Sequence, residues 1–274
     1  MKYLLLAALA GYSVAAIHAI LAFVNKRRAA DRTANVSLAL GFAAHTCALA
    51  VDWARNGHYP LFSFRETLSF LAWTLAIAYF VASLRYHINA LGVLAMPLAA
   101  FLVTASLIVR DHATTATATA TSVTDGVAAW LFPVHTTLVI FAYASFFVVF
   151  AASLMYLWQE RELKLKTFSS FFHRLPSLST VDDIGQTAAG IGFTLLSLGI
   201  ITGIIWSSER TGRMWHNDPK EIFALITWVL YLTMIHYRAQ WRGRRAAWVG
   251  VVGFVLVLFT FLGTRLMGGY HVFG

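Results

Sequence analysis

The side chains able to do chemistry in this sequence are chiefly imidazoles, and several sit in or beside apolar runs where an ionisable group is costly. His135 lies in "FPVHTTLVIFAYASF", His236 in "YLTMIHYR", His271 in "GGYHVFG", His45 in "LGFAAHTCALA" and His18 in "SVAAIHAILAF". Ionisable groups in such runs usually face a protein interior or a functional cavity. A neutral imidazole offers one lone pair to a metal, and a pair of imidazoles is a common axial set for haem iron, whose macrocycle needs flat apolar walls. Zinc is a weaker fit, since no compact cysteine set or HxxxH spacing is present. An aromatic segment lies nearby in "RMWHNDPKEIFALITW", residues 213–228, which holds Trp215, His216 and Asp218, with Trp206 shortly upstream.

The elements that position these groups follow from composition. Of the 274 residues, 59% are hydrophobic and only 12% charged, and the mean hydropathy is +0.67, far from a soluble average. Apolar runs long enough to cross about 30 Å of hydrocarbon fall at 3–24, 34–53, 66–84, 90–109, 131–158, 185–206, 220–237 and 246–267. The expected fold is therefore all-α, a polytopic membrane bundle of about eight transmembrane helices. The first run is longer than a signal-peptide core and reads as a span. Thirteen of the 21 basic residues fall in the connections after spans one, three, five and seven, among them Lys26, Arg85, Arg161 and Arg242. Basic residues are retained on the cytoplasmic side, so both termini are expected on the outer, periplasmic side. The formal charge of +9 is then a topology signal suited to anionic lipid headgroups, and no nucleic acid is implied.

That topology places His135, His271 and the 206–218 segment together at the outer face, and His236 at the inner one. Plainer readings stand beside these. A single histidine within a bundle is more often hydrogen-bonded to a neighbour than a ligand, which applies to His18 and His45. His87, His112 and His173 fall in connections and read as solvated. "DPKE" is a strong helix start, with Asp218 as N-cap, Pro219 at the first position and Glu221 closing a capping box. This explains Asp218, Pro219 and Glu221, but not Trp206, Trp215 and His216 on the preceding loop, although tryptophan also forms interfacial belts. The Thr- and Ala-rich stretch 111–126 reads as a connector, and "FSSFF" as a short interfacial helix. Cys47 is alone and forms no internal disulfide. No strong internal repeat is visible.

From Val181 to Arg238, "VDDIGQTAAGIGFTLLSLGIITGIIWSSERTGRMWHNDPKEIFALITWVLYLTMIHYR" resembles the tryptophan-rich (WWD) segment of the haem-handling cytochrome c assembly family, which includes CcsA and HemX-like membrane proteins. "RNGHYPLFSFRETLSFLAW", "FPVHTTLVIFAYASF" and "FLGTRLMGGYHVFG" are similar to other segments of that family, so the likeness spans nearly the whole chain. It implies one integral membrane domain over 1–274 with an external loop at 206–221. It also implies non-covalent haem b held between His135 and His271 over a platform running from Trp206 to Asp218. His236 matches the family's inner-side histidine, with His18, His45 or a second protein as its partner. Where the family pattern runs W-G-x-x-W-x-W-D-P-K-E-x-W, this chain has Thr211, Asn217 and Phe223 at three tryptophan positions. Such substitutions thin an aromatic platform and offer His216 as an alternative contact.

The leading expectation from the resemblance is a component of cytochrome c biogenesis in a bacterial inner membrane. It would present haem to apocytochrome c beside a CcsB-like membrane subunit, with or without forming part of a haem-lyase (synthetase) complex. Alternatives are a HemX-like non-enzymatic regulator of haem metabolism and a small-molecule transporter with structural histidines.

Overall fold

A computed structural model describes residues 1–25, 28–86, 88, 90–109, 128–167, 172–237 and 240–263. His271, His87, His112 and the 111–126 connector lie outside the described residues. Those described are helical, with no strand among them. The helices are α1 (Lys2–Asn25), α2 (Arg28–Asn56), α3 (Phe64–Tyr86), α4 (Ala90–Ile108), α5 (Ala128–Leu165), α6 (Leu178–Thr211), α7 (Pro219–His236) and α8 (Arg244–Leu258). They coincide with the eight apolar runs. Seven are long and apolar enough to cross a membrane, counting α8 on to Leu262. The exception is α7, whose 18 residues begin with Pro219, Lys220 and Glu221.

Several helices outrun the apolar segment that nucleates them. On α5 the charged continuation is carried by Lys164 bonding Glu160 at 2.7 Å, one turn away, and by the Trp158 indole donating to Glu162 at 2.8 Å. On α6 the helix persists to Thr211 and ends on Gly212, which is left-handed at φ 69° and donates its N–H to the Ser208 carbonyl, a common glycine-terminated helix end. Trp206 therefore belongs to a helix, and the loop that was expected to begin with it begins at Gly212. Of the expected interfacial helix around "FSSFF", residues 168–171 lie outside the described residues and Phe172–Arg174 form a single 3-10 turn.

The chain gathers into two compact units, one holding α1–α4 with the 3-10 turn and the other α5–α8. In the first, α1 packs on α2 and α4, and α3 packs on α4. Gly11 and Gly41 bring the α1 and α2 backbones together: a Cβ on Gly11 would lie 2.5 Å from the Gly41 Cα, the close approach that small residues allow between membrane helices. His45 is wholly buried there. Its Nδ1 pairs with the Tyr12 hydroxyl at 3.2 Å and its Nε2 with the Ser69 hydroxyl at 3.0 Å. At the start of α3, the Glu66 carboxylate accepts the N–H groups of Phe62 at 2.9 Å and Ser63 at 3.3 Å. The Ser63 hydroxyl in turn accepts from the Glu66 N–H at 3.1 Å, a complete capping box. Arg65 lies between Asp52 at 3.6 Å and Glu66 at 3.7 Å.

In the second unit α5 packs on α6 and α8, and α7 packs on α8. Its centre is Phe146 stacked on Tyr231, with centroids 3.8 Å apart. Gly192 makes room for the first ring and Gly253 for the second. Outward positions such as Ile191, Ile201 and Val229 are apolar and exposed, as a lipid-facing surface requires.

Candidate functional site

Contacts within the second unit bring the start of α5, the end of α6, the start of α7 and the end of α8 to one end. Between them lies a pocket with about 740 Å³ of free space, its mouth included. Most of its wall is aliphatic or aromatic, from residues such as Val139, Tyr143, Leu196 and Ile200. The polar groups facing it are few: His135, Ser207, Lys220, Glu221 and Thr260. A pocket with apolar walls and a few convergent polar groups is the usual form of a small-molecule or cofactor site. Thr260 is delivered by a wide turn, since α8 passes into a π-helix over Phe259–Gly263, a departure from α-geometry frequent at functional sites.

His135 is aimed by α6. Its Nδ1 lies 2.7 Å from the Gly199 carbonyl, and since a carbonyl can only accept, Nδ1 carries a proton there. The ring fits because α6 has glycine opposite it. A Cβ on Gly203 would stand 2.6 Å from both Cε1 and Nδ1 of His135, and one on Gly199 would stand 2.8 Å from Val139. The spacing "GIITG", a small residue every fourth position, is the readable trace of this recess. Its use as a seat for a histidine is evident only once α5 is in place.

The loop after α6 is tied down by polar contacts. Trp215 lines the pocket, is 43% exposed, and donates its indole N–H to the Asn217 side-chain oxygen at 2.7 Å. Asn217 is left-handed at φ 56°, a conformation that asparagine tolerates and a bulky aromatic disfavours. His216 sits between Thr211 at 2.9 Å, Ser207 at 3.2 Å and the Glu221 carboxylate at 3.4 Å. Its backbone N–H donates to the other Glu221 oxygen at 2.9 Å, which also takes the Asp218 N–H at 3.3 Å. Asp218 is buried and caps α7 by accepting from the Lys220 N–H at 2.8 Å, so the expected capping box is present. Phe223 stacks on Phe259 at 6.1 Å, packing α7 against the π-helical turn that follows α8.

Of the expected site residues, the structure brings His135 and Trp215 to one pocket, with His216 and Asp218 behind its lip. Trp206 is buried against Phe132, ring centroids 5.4 Å apart, with Arg210 5.3 Å over its face; it forms no part of the pocket wall. His236 is exposed at the opposite end of α7, against Tyr237 at 5.0 Å. His45 belongs to the first unit, where both its ring nitrogens are engaged. Sequence reasoning did not single out Gly199, Gly203, Tyr143, Lys220 or Thr260. Trp228 steadies α7 from below, its N–H donating to the Ser197 hydroxyl at 2.8 Å. Trp228→Phe is expected to cost about 1 kcal/mol, lowering the detergent-solubilised melting temperature by about 2–4 °C and leaving the pocket intact.

The family model described as "Cytochrome C assembly protein" matches residues 61–271, most of the chain and the whole α5–α8 unit. The chain belongs to the cytochrome c assembly family. Curated relatives named "Cytochrome c biogenesis protein CcsA" agree with this over nearly its full length. The protein from Guillardia theta is 28% identical, the alignment covering 84% of this chain and 81% of the relative. That from Oryza sativa subsp. indica is 27% identical, covering 95% and 92%. That from Chlamydomonas reinhardtii is 30% identical, covering 82% and 64%. Thr211 and Asn217 are the residues that bond His216 and Trp215. Hydrogen bonds thus shape this loop.

Proposed function

We propose that this membrane protein acts in cytochrome c biogenesis by holding haem b, non-covalently and as cargo, in the pocket of the α5–α8 unit for attachment to apocytochrome c. The observation carrying this reading is His135: an imidazole whose Nδ1 is bonded to the Gly199 carbonyl, facing a largely apolar pocket. The donor set fits the group. Nε2 is the ligating atom such an imidazole offers when neutral, Tyr143, Leu196, Ile200 and Trp215 suit the macrocycle, and the Lys220 ammonium suits the propionate carboxylates. His271 is proposed, on the strength of the family resemblance, as the second residue that would hold the iron. Bound haem supplies its iron and its vinyl groups; the protein supplies a fixed position and orientation, and positioning is what catalysis by this chain would consist of. The pocket end faces outward, opposite the basic connections, in a bacterial inner membrane beside a CcsB-like subunit.

Purified protein reconstituted with haem is expected to show a bis-histidine Soret spectrum that is lost in the His135→Ala/His271→Ala double variant. A folded protein that takes up no haem under any reconstitution would overturn the reading. One observation favours a second role, that of a HemX-like regulator: the polar bonding of Thr211 and Asn217 replaces the aromatic shelf. A maturation assay separates the two, because a presenting component yields covalent haem on a reporter cytochrome c with a CcsB-like partner, and a regulator yields none.

A further inference from the structure

The four-helix arrangement occurs twice. In each unit the first helix packs on the second and fourth, and the third packs on the fourth. The likeness extends to side chains at matching spacing. On α3, Trp73 stands seven residues after the capping-box Glu66; it donates its indole N–H to the Thr46 hydroxyl of α2 at 2.9 Å and stacks on Phe42 at 5.7 Å. On α7, Trp228 stands seven residues after the capping-box Glu221; it donates to the Ser197 hydroxyl of α6 at 2.8 Å and lies against Phe193 at 5.4 Å. Phe42 and Thr46 are four apart, as are Phe193 and Ser197. The residue before each phenylalanine is the glycine on which the unit's first helix closes: Gly41 receives Gly11, and Gly192 receives Phe146. Helix packing alone does not demand these identities at these intervals.

Carried through, this register matches Asp52 to Gly203, Arg65 to Lys220 and Glu66 to Glu221. Deeper in, it matches His45 to Leu196, Ser69 to Ala224 and Tyr12 to Phe147. In the second unit Gly203, Lys220, Glu221, Leu196 and Ala224 line the open pocket. In the first, the matching side chains bond one another: Asp52 with Arg65, and His45 with both Tyr12 and Ser69. We infer that the chain is an internal duplication of one four-helix unit, with an open pocket in the second copy and a counterpart in the first copy filled by these polar contacts. His45 is then part of that filling and not a ligand to the cargo. The duplication stands independently of the haem reading; the statement about His45 rests on it.

The test installs the second copy's residues in the first, as Tyr12→Phe/His45→Leu/Ser69→Ala in the full chain. Replacing every member of a buried polar network by apolar groups of similar volume is close to neutral, whereas removing one member strands the others. The triple variant is expected to melt within about 3 °C of the parent in detergent, and His45→Ala alone at least about 5 °C lower. Haem uptake and Soret position in the triple variant are expected to match the parent. A triple variant that fails to fold, or melts below His45→Ala, overturns the duplicate register. A folded triple variant that loses haem the parent retains overturns the role given to His45. Were the parent itself to take up no haem, the proposed cargo would fall and the melting comparison would still decide the duplication.

Discussion

Gly203→Ala is expected to weaken haem retention by about 10–100-fold while leaving the protein folded. The added methyl would stand 2.6 Å from two atoms of the His135 ring, closer than side-chain carbons come. The ring must swing away from α6, and the 2.7 Å bond from Nδ1 to the Gly199 carbonyl breaks or lengthens. Loss of the hydrogen bond behind a metal-ligating histidine typically lowers metal affinity by about 10–100-fold, and overpacking of this kind costs about 1–3 kcal/mol of stability. Measuring the haem off-rate to an apo-myoglobin acceptor, together with melting temperature, separates the two effects. Gly190, where an added Cβ meets nothing within 4 Å, is the matched control on the same helix. Unchanged retention in Gly203→Ala, with the control also silent, would show that His135 is not the group being aimed.

Glu221→Ala is expected to have the largest effect on the loop. One carboxylate oxygen accepts the N–H groups of His216 at 2.9 Å and Asp218 at 3.3 Å, and the other lies 3.4 Å from the His216 ring. Removing it opens the capping box and releases the segment that carries Trp215. Hydrogen bonds to charged groups contribute about 1.5–3 kcal/mol each, so a loss of about 2–4 kcal/mol is expected, read as a melting temperature lower by about 4–16 °C. Trp215 fluorescence should shift as its indole leaves Asn217, and haem retention should fall in parallel. Glu221→Gln retains an acceptor oxygen and is expected to recover much of the loss; equal damage from Gln and Ala would mean that charge, and not the bonds to His216 and Asp218, holds the loop.

The eight helices were legible because crossing a bilayer demands long apolar runs, and few other sequences satisfy that demand. Their ends were less so, because α5 and α6 continue past hydrocarbon depth on interactions that hydropathy ignores: the Glu160–Lys164 pair and a glycine end at Gly212. The capping box at Asp218 was fully readable, being a local pattern, and so was the candidacy of His135. What seats the His135 ring was not readable, since Gly199 and Gly203 act through a partner 64 or more positions away in the chain. Glycines in a helix read locally as weak points. The pairing of His45 with Tyr12 and Ser69 is equally non-local. The inferred duplication is hard to read in sequence because its pocket residues differ in character, glycine against aspartate and leucine against histidine, while the shared anchors are only a glycine, a phenylalanine, a hydroxyl, a glutamate and a tryptophan in each copy.

The Gly199 carbonyl has an electronic consequence as well as a steric one. An imidazole that donates from Nδ1 to a strong acceptor is a more basic ligand at Nε2, and axial-ligand character together with second-shell hydrogen bonding is what sets the reduction potential of haem iron. Were haem iron to be held at His135 as proposed, this bond would favour its ferric oxidation state. If the site presents reduced haem for thioether formation, as proposed, the same bond that aims the ring would also raise the demand on the electron donor.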